Sequence, residues 1–240
     1  MPAVRLYFSM INRAIVLLIG LSVCSSINAG VMVGGSRFVF NENSKVLSVM
    51  IRNPDASNYL IKARILPPTL WEKEGAVVAA ADSLIITPPL FRLDAGRENI
   101  IRIVRGPTSL PEDRESLFEF SVAAIPSVKG ESNSVALAVR SRFKLFYRPQ
   151  NLPGDAKTAW SSLRWYQRGN TLIARNTSPW FVTLATVNID NTAIADPGML
   201  APFGEREYEG CHNNKLCQVR WQALDDNGQF TAFTGVTLSH

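Results

Sequence analysis

The chain has 240 residues, enough for one or two domains at about 100–200 residues each. Hydrophobic residues make up 46% and charged residues 19%, with 15 glycines, 14 prolines and 3 cysteines. This excludes a disordered polar chain, a collagen-like repeat and a disulfide-dense mini-protein. The formal net charge of +5 comes from scattered basic residues, a field too mild for a nucleic-acid footprint, so no nucleic-acid partner is expected.

The first element is the apolar run AIVLLIGLSVC at residues 14–24, preceded by Arg5 and Arg13 and followed by Ser25, Ser26, Asn28 and Ala29. No acidic residue stands before Glu42. The run is too short for a bilayer core, which needs about 20 apolar residues. A basic start, a short apolar stretch and a small residue at the cut describe a secretory signal peptide at residues 1–29, cleaved after Ala29. Met10 would serve equally well as the start. The competing reading is an uncleaved anchor carrying a sensor ectodomain. Cleavage removes Arg5 and Arg13 and leaves 211 residues with 23 basic against 20 acidic side chains.

Beyond residue 30 no stretch keeps an apolar 3.6-residue period over three turns, while a period of two recurs. Leu47, Val49 and Ile51 share a face, as do Tyr59, Ile61, Ala63 and Ile65. Ile101 and Ile103 flank Arg102; Phe118, Phe120 and Val122 alternate with Glu119 and Ser121. Such strands bury one face and wet the other. Turn signals part them at Asn53-Pro54-Asp55, Pro67-Pro68, Ala95-Gly96, Gly106-Pro107 and Lys129-Gly130. About seven short strands before Tyr147 predict an immunoglobulin-type β-sandwich over residues 30–149.

Residues 134–148, SVALAVRSRFKLFYR, break the pattern. They read as one strand of some 15 residues, long against a usual length of about 5–6. Val135, Leu137 and Val139 share one face; Arg140, Arg142 and Lys144 take the other. The three apolar residues are either ordinary core or an outward-facing edge template, which natural proteins avoid unless a pairing partner is intended.

Residues 148–155, RPQNLPGD, read as an elbow. Strand signals resume over residues 163–166, 171–175, 180–189, 205–208, 217–221 and 230–238, predicting a second β-module over residues 150–240. Two all-β domains on a short elbow leave a cleft between them. Cys211 and Cys217 form an even pair in an exported chain, which reads as a disulfide. A metal site with His212 is the rival, but it has too few ligands for a tetrahedron. No metal or other cofactor is expected.

Six blocks carry a resemblance. RFKLFYRP (142–149) resembles the end of the seventh strand in PapD-like periplasmic pilus chaperones. LPEDRESLFEF (110–120) is similar to that family's LPxDRESLFxxN segment, ITPPLFRLDAG (86–96) to its PPxxRLxPG turn, and SRFVF (36–40) to its first strand. NTSPWFVTL (176–184) and LDDNGQ (224–229) resemble its NPTPYYVTL and INDYGG blocks. The blocks follow the family order across nearly the whole exported chain. Departures are Ser36 for Thr, Glu119-Phe120-Ser121 where the pattern ends in Asn, Asn227 for an aromatic, and Gln229 for Gly.

The resemblance implies two immunoglobulin-like sandwiches in a boomerang arrangement. It implies a periplasmic chaperone that completes pilus subunits by lending them a strand and delivers them to an outer-membrane usher. On this resemblance Val135, Leu137 and Val139 are donor-strand residues, and Arg37 and Lys144 anchor the subunit's C-terminal carboxylate. Glu115, Arg148 and Asp226 match an interdomain ion network. The short loop before the donor strand and the cysteine pair match the short-loop subgroup. Lys144 has opposite parity to the three donor residues, so both roles together call for a twist or a bulge. Self-dimerisation of the free chain is left open.

Catalytic patterns are absent: there is no GxSxG, HExxH, P-loop or Rossmann fingerprint, and only two histidines, His212 and His240. No enzymatic activity is expected. A secreted two-domain adhesive or ligand-binding module is the alternative to the chaperone.

Overall fold

The computed structural model describes residues 30–74, 81–127, 137–210 and 217–238. Among these the elements are strands and three short 3-10 turns, Thr69–Glu74, Ala81–Ser83 and Ala159–Ser162. The expected all-β architecture is observed.

The first unit contains β1 (Met32–Val33), β2 (Arg37–Asn41), β3 (Leu47–Arg52), β4 (Tyr59–Leu66), β5 (Leu84–Thr87), β6 (Leu90–Leu93), β7 (Glu98–Arg105), β8 (Ser116–Pro126) and β9 (Val139–Arg148). They form two sheets, in the orders β1-β3-β7-β5 and β2-β9-β8-β4-β6. Alternation decides what lies between them. Val49, Ile51, Ile61, Ile101 and Ile103 meet Phe38, Phe40, Phe118, Phe120, Leu145 and Tyr147 in one core. The rings of Phe38 and Phe120 meet edge to face at 5.4 Å, a geometry worth about 0.5–1.5 kcal/mol beyond burial.

The second unit contains β10 (Arg164–Arg168), β11 (Thr171–Arg175), β12 (Val182–Ile189), β13 (Thr192–Ala193), β14 (Met199–Leu200), β15 (Glu205–Glu209), β16 (Gln218–Leu224) and β17 (Thr234–Thr237). Its sheets run β10-β11-β15 and β13-β12-β16-β17, with β14 added to β12. Trp165 packs between Tyr208 and Trp221, at centroid distances of 5.6 and 5.3 Å. The Trp221 indole donates to the Trp160 carbonyl at 2.8 Å, so this buried ring is satisfied.

The elbow is tied to both units. The Gln150 N–H donates to Glu42 Oε2 at 2.9 Å. Leu152 is buried in the second core, and the Trp180 indole donates to the Pro153 carbonyl at 3.3 Å. Asn151 and Gly154 take positive φ, which lets the chain turn within a few residues.

A third apolar cluster joins the two units. Leu117 and Phe146 of the first meet Phe181, Met199 and Ala201 of the second, with Val39 and Trp71 at its margin. This corrects one sequence expectation. Alternation places Glu119 and Ser121 in water, yet both are buried. Central in its sheet, β8 has one face on the sandwich core, while the opposite face, which carries Leu117, takes part in this joint.

Candidate functional site

Arg37 and Lys144 lie 107 positions apart in sequence and side by side in space. β2 pairs with β9 in parallel, in the register Arg37↔Lys144, Phe38↔Leu145 and Val39↔Phe146. Phe38 and Leu145 turn into the core, so the two cations share the opposite face. The Arg37 guanidinium lies over the Phe146 ring at 4.7 Å, and its Nη1 donates to the Leu224 carbonyl of the second unit at 3.2 Å. Its Nε is buried without a hydrogen-bond partner. Burial pulls the Arg37 pKa down, opposed by Asp226 and Glu115. The Lys144 ammonium stands 5.4 Å from the Trp71 ring. Two cations on adjacent strands about 4.8 Å apart make a place where an anion is favoured. A carboxylate would receive charge-assisted hydrogen bonds from both.

The same strand presents an unshared edge. Val139 through Phe143 pair with β8, from Ala124↔Val139 to Phe120↔Phe143. The partnership with β2 begins only at Lys144. Among the described residues no strand pairs with the other side of Val139–Phe143. Leu137 is 78% exposed and Val139 57% exposed. The core reading of these two residues is therefore overturned by their exposure. Val135, with the loop before it, lies outside the described residues.

Two further expectations are corrected here. Leu137 and Ala138 are not strand, and β9 begins at Val139, so the single strand expected over 134–148 is interrupted there; residues 134–136 lie outside the described residues. Pairing with β8 stops as that strand nears Pro126, which has no N–H to donate. The bulge suggested by residue parity is absent, since the β8–β9 register runs from Val139 to Tyr147 without a shift. Val139, Phe143, Leu145 and Tyr147 all lie on the core face. Val139 is exposed because the facing sheet no longer covers it. Lys144 simply occupies the other face.

Glu115, Arg148 and Asp226 meet at the joint. Arg148 Nε donates to Glu115 Oε1 at 2.7 Å, and its two terminal nitrogens donate to both Asp226 oxygens at 2.7 and 2.9 Å. Glu115 Oε2 accepts the Phe181 N–H at 2.8 Å. Burial pushes the Glu115 carboxyl up, with Arg148 and the Phe181 amide opposing. For Asp226 burial also pushes up, but the hydrogen bonds and charge of Arg148 outweigh it and leave the carboxyl below its usual range. Arg148 is correspondingly held more firmly protonated: burial opposes this, and the Asp226 and Glu115 contacts exceed it. Between the units lies a cavity of about 350 Å³ lined by Arg37, Glu115, Arg148, Trp160 and Asp226 among others.

Cys217 is buried and disulfide-bonded; Cys211 and His212 lie outside the described residues. Among the described residues no group of His, Cys, Asp and Glu could hold a metal ion. Sequence reasoning missed two neighbours of Lys144. Glu119 is its register partner on β8, and the only signal was its place in a departure from the family pattern. Trp71 follows the Pro67-Pro68 turn and carried no signal of its own.

Comparisons with known proteins bear on this arrangement. Residues 30–153 match the family described as pili and flagellar-assembly chaperone, PapD N-terminal domain. Residues 158–234 match the pili assembly chaperone PapD C-terminal domain. The uncharacterized fimbrial chaperone YcbF of Escherichia coli K12 is 36% identical over 215 residues, covering 89% of this chain and 91% of that protein. The chaperone protein FimC of the same strain is 31% identical, covering 92% and 90%. The crystal structure of the E. coli chaperone DraB superposes with a TM-score of 0.74 at 28% identity, covering 88% of this chain and 97% of that one.

Proposed function

The chain belongs to the PapD family of pilus assembly chaperones, and from that premise we propose how its cleft holds a subunit. Arg37 and Lys144 grip the C-terminal carboxylate of a pilus subunit, and the Val139–Phe143 edge of β9 pairs with its open groove. Main-chain hydrogen bonds supply affinity in such strand addition, and alternate side chains supply specificity. Leu137 and Val139, continued by Val135, enter the groove; each apolar side chain fully buried there contributes about 1.5–3 kcal/mol. The observation that carries the reading is the register pair Arg37↔Lys144 at the point where β9 loses its second neighbour. Glu115, Arg148 and Asp226 hold the angle between an N-terminal domain, residues 30–149, and a C-terminal domain, residues 150–240. The chain acts in the periplasm after loss of residues 1–29, with Cys211 and Cys217 joined. It passes its subunit to an outer-membrane usher, and the free chain can cover its own edge by pairing with a second copy.

Co-expression with a fimbrial subunit tests this. The expected result is a soluble one-to-one complex that Arg37→Ala and Lys144→Ala each abolish. Intact complexes with both variants would overturn the anchor. N-terminal sequencing of exported protein should begin at Gly30; a chain retaining residues 1–29 would contradict the signal peptide.

A further inference from the structure

The cavity between the units has no role in this reading. It measures about 350 Å³, the share of roughly ten waters at about 30 Å³ each, so it has room for a large side chain. Its charged walls are already engaged. Arg148 holds Glu115 and Asp226, and Glu115 also accepts the Phe181 N–H. Asp225 Oδ1 accepts the N–H groups of Asn227 and Gln229. What remains for a guest is chiefly apolar: Trp160, Phe181, Val182, Ala223 and Ala232. The Trp160 ring is fixed in advance, because its indole donates to the Lys157 carbonyl at 2.8 Å. Its own carbonyl accepts the Trp221 indole N–H. Water in front of such walls finds few partners, and an apolar group that displaces it gains affinity.

The cavity adjoins the anchor, since Arg37 is part of its lining. Of the Arg37 nitrogens, Nη1 donates to the Leu224 carbonyl and Nε is buried. Nη2 is left uncommitted among the described residues. The guanidinium lies over the Phe146 ring, and that ring meets Phe181 at 5.5 Å. Apolar surface therefore runs from the anchor to the cavity wall. In any peptide the last Cα is bonded to the carboxylate carbon at about 1.5 Å, so a carboxylate held by Arg37 starts its side chain beside the cavity. We propose that the cavity receives the side chain of the subunit's last residue and selects a large aromatic one. Aromatic rings suit walls that themselves carry Trp160 and Phe181, because ring pairs gain beyond their buried area. The anchor then fixes where the subunit ends, and the cavity reads which residue ends it. This rests on the anchor reading above.

The experiment uses the full exported chain and synthetic peptides copying the C-terminal strand of a fimbrial subunit. They carry a free carboxylate and differ only in the last residue, glycine or phenylalanine. Calorimetric titration should show the phenylalanine ending bound about tenfold or more tighter, as a large apolar side chain leaves water. Equal affinities overturn the proposal. Ala232 lies exposed outside the strands, so Ala232→Trp fills the cavity from its rim and should bring the ratio toward one. Trp160→Ala removes a wall and should lower the ratio as well. A change that merely disturbs the fold weakens both peptides alike and leaves the ratio intact. A ratio that survives in Ala232→Trp places the preference elsewhere and overturns the proposal. Should Trp160→Ala fail to fold, Ala232→Trp decides alone. The phenylalanine-ended peptide made as the amide reports on the anchor. If it binds as well as the acid, the anchor reading fails, and the ratio between the two endings still decides about the cavity. A chain that binds neither peptide overturns both.

Discussion

The two halves of β9 have opposite fates within one uninterrupted register. Lys144 to Tyr147 are paired on both sides, by β2 and β8, and Leu145, Phe146 and Tyr147 are buried. Val139 to Phe143 are paired on one side, and Val139 is largely exposed. Nothing in the backbone separates the halves; what changes is the neighbour. An edge strand is normally blunted by charge, proline or a bulge. Here the exposed face of the open half carries Arg140 and Arg142, yet Leu137 and Val139 remain uncovered. The difference teaches that one strand can serve as scaffold at one end and as an offered surface at the other.

Substitutions in the two halves should separate stability from capture. Phe146→Ala empties a site between the units and should cost about 3–5 kcal/mol of unfolding free energy. Val139→Ala should change stability by less than about 0.5 kcal/mol and still weaken subunit binding. Urea denaturation beside peptide titration would check both. Equal stability losses at the two sites would erase the distinction between the halves.

Arg148 ends the buried half, and its removal comes next in size. Arg148→Ala leaves Glu115 buried without its cation, a loss of about 3–5 kcal/mol when the stranded charge is fully buried, and less here if water enters the cavity. Differential scanning calorimetry should show a lower transition temperature, and the scattering profile a wider distribution of domain angles. An unchanged profile would remove Arg148 from the control of the cleft.

The smallest effect is one of pH. Asp226 titrates below its unfolded value of 3.8. Its contribution is therefore complete above that value and lost as pH falls through the lower folded value. Glu115 has the opposite sign, since burial raises it and protonation relieves a buried charge. The Arg148–Asp226 contact should persist from pH 7 to about pH 4 and loosen only below. Trp180, 5.1 Å from the Arg148 guanidinium, offers a fluorescence reporter. Asp226→Asn should flatten the acid response; loosening already at mildly acid pH would contradict the assignment.

Much of the fold is legible in the sequence because a period of two states which residues share a face. It does not state what covers that face. Alternation alone misplaces Glu119 and Ser121 for this reason: they are buried on the face of β8 that carries Leu117 and takes part in the joint, a face an isolated sandwich would wet. Alternation continues through Leu137, ahead of the start of β9, whereas hydrogen bonding depends on a partner strand that is ending at Pro126. Arg37 and Lys144 were found through motif resemblance, since no spacing rule relates residues 37 and 144. Their shared register, and the harmless parity of Lys144 against Val139, needed the parallel pairing of β2 with β9.

That parallel pairing also carries a consequence in time. Neighbouring hairpins of this chain can close as soon as their residues emerge, but Arg37 must wait for Lys144. Joining elements so far apart along the chain is slow, because loop-closure entropy is lost before the contact rewards it. The two cations are thus assembled only when the first sandwich is closed. A chain whose first sandwich is still open cannot bring the two cations together.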